Sequence, residues 1–599
     1  RAGSNRISDR QADGWFLNWL ADPTPRDVAA DPLGSLALVT APREAAFDTW
    51  VMVAGRRGNE EALAAAEATM RARWIASRPL GGKRAAISRF LTTDRRALEP
   101  ADAARRDALL GGTPGLDAIL TRSVQLRSDL AATVAAAPAE AGLAGSPASW
   151  RDYGEVSARM RQIVDSLAAG RTATPPAFPP LTPAAEIRRR LAASQALLSF
   201  HWTSSGLFAA LETRDRFVAW QVRQAEGIPG ELAALAKELG LNDRLAAVGS
   251  ERLLAGDWSG SAARLERMLF ENSRGVSLAE GIDELVVVPD GWLWYLPFEI
   301  LPIASNQAGD PRPLRDLCRI RYAPTRSLAV DRFEPRGAGL AAAIVGRMAR
   351  GEKPAAALAG AEAMLSGVDR RVVFELPAAG PAAPLAGSLF DTLVVADELA
   401  AADPASLPLL TGGGGRQGMT TSDWLAPPTK WPQRVILPGF QSAMAGGLAK
   451  PPPRPGAELF MTATDLIAAG AHTAVLSRWR MGGLTGSLIM REFLAEAIAG
   501  EPAAAAWQRA VDIVLPDPPD LAREPRLSQD AEAVLADSRH PVLWASYLLV
   551  DCGGGQYAAP NAAEPRGGPA APRPQPPAGP APRPEPTPPQ GPMPPAILA

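Results

Sequence analysis

The chain has 599 residues, enough for two or three domains with full cores, and its 62 basic against 64 acidic residues leave a net charge of −2. That balance excludes the basic footprint of a nucleic-acid binder, and the two cysteines, Cys318 and Cys552, exclude a disulfide scaffold or a cysteine-rich zinc centre. The hydrophobic share of 47% indicates a globular protein without a membrane span, since the best apolar run, "LIAAGAHTAVL", is too short.

Residues 1–170 read as an α-helical region. Phe47 to Val53, a turn at "RRGN" and Glu60 to Ser77 form an expected helical hairpin, with Leu63, Ala66, Met70 and Trp74 along one face of its second arm. Tyr153, Val156, Met160, Ile163 and Leu167 recur at three- and four-residue steps, an amphipathic helix. Such hairpins suit a tetratricopeptide-like array, although no fixed period runs through them. The proline-rich "GRTATPPAFPPLTP" gives a linker at 171–184 and the clearest domain boundary.

The period then changes. "ALLSFHW", "GLFAALET" and "RFVAWQV" predict a β-meander, and a helical stretch follows over roughly 229–273. From 283 onward "ELVVVP", "FDTLVVAD", "QRVILPG" and "HTAVLSRW" are nearly continuous apolar strands, the signature of a parallel sheet covered on both faces. Helices are expected over Phe460–Ala469, over Leu484–Ala499 and around Trp507, Val511 and Val514. The fold class is therefore α/β. Residues 553–599 are a proline- and glycine-rich tail that cannot bury a core and reads as disordered. Arg far outnumbers Lys, which points to a GC-rich, bacterial genome. The chain opens at Arg1 rather than Met, so an upstream leader or anchor, and with it the compartment, is left open.

"LVVVPDGWLWYLPFEILP" (285–302) resembles the opening motif of the CHAT domain, a caspase-like peptidase family of the clan that includes separase. "IRYAPTRSL" (320–328), "LIAAGAHTAVLSRW" (466–479) and "HPVLWASYLLVD" (540–551) resemble its later motifs in the same order, and the meander resembles the segment that leads into it. The resemblance spans about 185–552 and implies a caspase-like three-layer α/β/α sandwich with a mostly parallel sheet. It also implies a His-Cys dyad at the ends of two neighbouring strands, a thiolate to attack a carbonyl and an imidazole to move protons.

Against that pattern "FDTLVVADEL" carries Glu398 at the histidine position, with Asp397 before it, and "VILPGFQSA" carries Phe440 at the cysteine position, followed by Gln441 and Ser442. No Cys or His occurs anywhere in 385–450, so a slip of the alignment restores neither group. The expectation is a catalytically inactive pseudopeptidase that binds a protein partner as scaffold or regulator, with no cofactor and no metal. The alternatives are a peptidase using displaced residues such as Cys318 or Ser442, and a structural protein of the envelope. His201, His472 and His540 are scattered and read as structural. "TGGGGRQG" (411–418) lacks the closing Gly-Lys-Ser/Thr of a phosphate loop and reads as a flexible turn. The PRP and PTPP segments of the tail read as spacer rather than as ligands for aromatic grooves.

Overall fold

The computed structural model describes residues 7–553 apart from 58–59, 99, 137–146, 171–177, 242–247, 274–277, 279–280, 305–309, 331–338, 346–353, 376–386, 398, 401–430, 480, 482 and 529–534. The apolar spacing of the first part of the chain becomes helices whose lengths run from 6 to 23 residues. The expected hairpin is Glu44–Arg57 against Glu61–Ala76, and a second antiparallel pair is Leu116–Ala136 with Pro147–Ala169.

The strands, in chain order, are β1 (Gln195–Thr203), β2 (Gly206–Glu212), β3 (Phe217–Val222), β4 (Glu284–Val288), β5 (Pro302–Ile303), β6 (Arg312–Pro313), β7 (Arg319–Tyr322), β8 (Ala341–Val345), β9 (Arg371–Glu375), β10 (Thr392–Ala396), β11 (Leu399–Ala400), β12 (Arg434–Ile436), β13 (Phe440–Gln441), β14 (Thr473–Ser477) and β15 (Tyr547–Asp551). Eleven of them form one sheet in the order β3-β2-β1-β4-β7-β15-β14-β12-β10-β8-β9. β1, β2 and β3 pair antiparallel, which is the expected meander, while β1–β4–β7 and β14–β12–β10–β8–β9 run as parallel ladders. β15 joins β14 antiparallel. The central strands β4, β8, β10, β14 and β15 are buried at every residue, as helix cover on both faces requires.

One helical layer consists of Pro354–Met364, Gly483–Ala499 and Ala503–Val514, which pack on one another. The opposite layer is Ala457–Ala469, which packs on the N-terminal helix Lys83–Thr92. Right-handed crossovers account for this division: β12 to β14 and β8 to β9 step along the sheet in opposite directions, so their helices fall on opposite faces. The fold is thus a mixed α/β sandwich on a mostly parallel sheet, preceded by a helical region.

That helical region is bonded into the second layer. Trp74 Nε1 donates to Asp465 Oδ1 at 2.8 Å, Arg78 pairs with Asp465 at 2.7 Å, and Arg89 donates to the Ile467 carbonyl at 2.7 Å. Tyr153 shares a hydrogen bond with Ser388. A single apolar core includes Met70 and Trp74 of the hairpin together with the sheet strands. The expected linker is described from Phe178, which is buried edge-on against Trp74 at 5.2 Å and beneath the Arg89 guanidinium.

Candidate functional site

The turn after β12 determines what this strand end can do. Pro438-Gly439 makes a tight turn, with Phe440 N donating to the Leu437 carbonyl, and Phe440-Gln441 form β13. β13 pairs parallel with β11, placing Phe440 opposite Leu399 and Gln441 opposite Ala400. Leu399 N donates to the Gly439 carbonyl at 3.0 Å. The two strand ends that the family motif would equip with His and Cys therefore lie side by side, at the ends of the parallel neighbours β10 and β12. At the centre of this junction stands Phe440, with none of its surface exposed. Asp397 and Gln441 are buried as well. Glu398 lies outside the described residues, as does 411–418.

Neighbouring groups fix the turn. Ser477 Oγ, at the end of β14, donates within 3.0 Å of the Pro438 carbonyl and 2.6 Å of the Phe440 carbonyl. Ser442 donates its hydroxyl to the Arg478 carbonyl and accepts from Met444 N, capping the short helical turn Ala443–Gly446. Its proton and one of its two lone pairs are engaged. Arg478 is fully buried: its guanidinium donates to the carbonyls of Trp294, Ala545 and Tyr547 and stacks over the Tyr322 ring at 4.9 Å. Glu458 Oε1 accepts from Tyr295 Oη at 2.8 Å and from Ala443 N at 3.1 Å. Burial raises the Glu458 carboxyl above its usual range despite those donors, and burial raises the Tyr295 phenol too. These groups brace the turn: Ser477, Ser442 and Arg478 donate to main-chain carbonyls and Tyr295 donates to Glu458.

The displaced candidates lie elsewhere. Cys318 sits one residue before β7, not within a strand; its thiol reaches the Leu314 carbonyl at 3.8 Å, and burial pushes its pKa up to about 12. His472 precedes β14 at the end opposite the Phe440 turn, five residues and roughly 16 Å along the strand from Ser477. His540 caps the helix Pro541–Trp544 through Nδ1, and burial lowers it to about 4.

The structure also assembles a cluster that sequence reasoning passed over. His201 on β1 places Nδ1 3.3 Å from Asp290 Oδ2, just past the end of β4, and Arg73 of the hairpin donates to Asp290 Oδ1 at 2.8 Å. Burial would raise Asp290, yet Arg73, His201 and the Trp202 N–H outweigh it and leave the carboxyl below its usual range. Burial lowers His201 to about 4, with Asp290 opposing. Ser199 lies two residues away on the same face of β1, but no hydrogen bond joins it to His201. An imidazole titrating near 4 is a weak base at neutral pH. The residues 201, 290 and 73 are far apart in sequence; the one available signal was a histidine in an apolar strand beside the Pro-Asp-Gly turn.

Among the described residues no group of His, Cys, Asp and Glu could hold a metal ion, and no helix is long and apolar enough to cross a membrane. No family model matches the chain, and no curated protein matches its sequence. Among solved structures it is similar to Saccharomyces cerevisiae separase in its complex with securin, with a TM-score of 0.36 and 8% identity over 92% of this chain. The match covers 49% of separase, so the chain spans about half of that protein's length.

Proposed function

We propose that this chain is a degenerate CHAT-type pseudopeptidase that works by binding another protein, as scaffold or regulator, rather than by cleaving one. The observation that carries the reading is Phe440: a fully buried phenyl ring, opposite Leu399, at the strand end where a nucleophile would stand. A phenyl group has no lone pair with which to attack a carbonyl.

The reading is supported by the state of the possible substitutes. Ser442 is occupied as donor and as cap, and no histidine lies within 385–450 to activate it. Cys318, with a thiol near 12, is almost wholly protonated at neutral pH and buried. A helical region fused to the sandwich offers surface for a protein partner, which is the role the family resemblance implies for such arrangements. The test is incubation of the purified full chain with peptide and protein libraries, together with labelling by thiol- and serine-directed electrophiles. Absence of cleavage and of stoichiometric labelling is expected. Cleavage that disappears on replacing one residue, Cys318 or Ser442, would overturn the reading.

A further inference from the structure

The hairpin Glu44–Arg57/Glu61–Ala76 crosses the β1–β3 meander without filling the space beneath it. Small side chains face each other there, Ala66 from the hairpin and Ala210 from β2, and a cavity of about 40 Å³ is left between them. That is room for roughly three water molecules. Its walls are mainly apolar, with Met70 among them, but one side carries Ser199, His201, Arg326 and Glu67, whose carboxyl is engaged by Arg326 and by Ser327 N. Ser199, His201 and Arg326 are 6%, 2% and 3% exposed, and with His201 Nδ1 turned to Asp290 at 3.3 Å, three of their atoms are left without a hydrogen bond: Ser199 Oγ, His201 Nε2 and Arg326 Nε. Native interiors seldom leave such a group unpaired, because each costs stability comparable to a lost hydrogen bond. Three around one cavity point to a ligand.

We propose that this cavity binds a small uncharged molecule of about four non-hydrogen atoms, with its aliphatic end against the hairpin and a hydroxyl or carboxamide against Ser199, His201 and Arg326. The donor set determines the class. Arg326 Nε offers a proton, neutral His201 keeps its proton on Nδ1 towards Asp290 and offers the Nε2 lone pair, and Ser199 can do either. A ligand group that both donates and accepts satisfies that set. A carboxylate is disfavoured, because Arg326 is already flanked by two buried acids, Glu212 at 2.8 Å and Glu67 at 3.7 Å. Water could pair with the polar side, but waters against the hairpin wall would lack partners, and an apolar group that displaces them gains affinity. For so few atoms a Kd on the order of millimolar is expected.

The test uses the full chain with ¹³C-methyl methionine and ¹³Cε1 histidine, whose spectrum contains three histidines. Titration with 1-propanol or acetamide should move the Met70 and His201 signals saturably with one midpoint, leaving His472 and His540 in place. Acetate, of similar size but charged, should give no saturable shift. Ala210→Leu, which fills the cavity without removing a polar partner, should weaken the response at least tenfold; Ala66→Leu does the same from the hairpin side. Linear, non-saturating shifts with both neutral compounds would overturn the proposal, as would a response retained in both filled variants. A crystal structure grown with acetamide that held only ordered water in the cavity would also overturn it.

Discussion

If Phe440 is core rather than a movable gate, Phe440→Ala must behave as a large-to-small core substitution. The ring is fully buried, its carbonyl is held by Ser477, and its strand is paired with Leu399. Removing a phenyl ring from such a site loses about 2–3 kcal/mol of transfer free energy. A residual cavity of roughly 70 Å³, at about 24 cal/mol per Å³, adds about 1.7 kcal/mol. The sum is about 4 kcal/mol, within the usual range of about 3–5 kcal/mol for Phe→Ala in a core. Phe440→Leu should cost much less, about 1–1.5 kcal/mol, because most of the volume is kept. The assay is equilibrium denaturation in guanidinium chloride, followed by fluorescence of the 15 tryptophans and by circular dichroism. A loss under about 1 kcal/mol for Phe440→Ala would refute the reasoning. It would mean that the ring covers a space already open, and the strand end would have to be reconsidered as a working cleft.

Arg78→Ala should cost about 3–5 kcal/mol, because it strands the buried Asp465 carboxylate that ties the hairpin region to Ala457–Ala469; denaturation of the variant checks this. Burial raises Glu524 to about 7, although it accepts from Thr485 N at the start of Gly483–Ala499. Its folded pKa exceeds the ordinary 4.5, so its contribution is fully present below pH 4.5 and is lost as pH rises through 7. Glu524→Gln should therefore gain on the parent between pH 4.5 and 8, by about 3 kcal/mol, in stability measured across that range. The native chain should resist a disulfide exchange reagent at pH 8 and react at two thiols once denatured, since Cys318 and Cys552 are both buried; rapid native reaction would contradict that burial.

Strands whose residues are bulky and β-branched were legible one by one. "ELVVV", "TLVVA" and "TAVLS" are β4, β10 and β14 within a residue or two. One neighbour was not: β8, "AAAIV", is mostly alanine and carries no strand signal, whereas β9, "RVVFE" at the sheet edge, has the β-branched and aromatic composition of a strand. Alanine belongs in β8 because helices cover a central strand closely, a requirement that exists only after packing. The strand-end pairing of Leu399 with Phe440 is likewise tertiary, since about forty residues separate the two positions. That 385–450 contains neither Cys nor His, in contrast, is read directly from the sequence.

The sequence by itself determined the types of the strongly patterned elements, the α/β class and the absence of Cys and His from 385–450, because periodicity and residue identity are local properties. Tertiary structure decided that the helical region is bonded to the sandwich, through Trp74, Arg78 and Arg89 meeting Asp465 and Ile467 almost four hundred residues away. It also decided that His201, Asp290 and the half-buried Arg73 meet beside the cavity under the hairpin. Burial and ion pairing arise when distant segments exclude water from one another, and no spacing along a chain records which segments will do so.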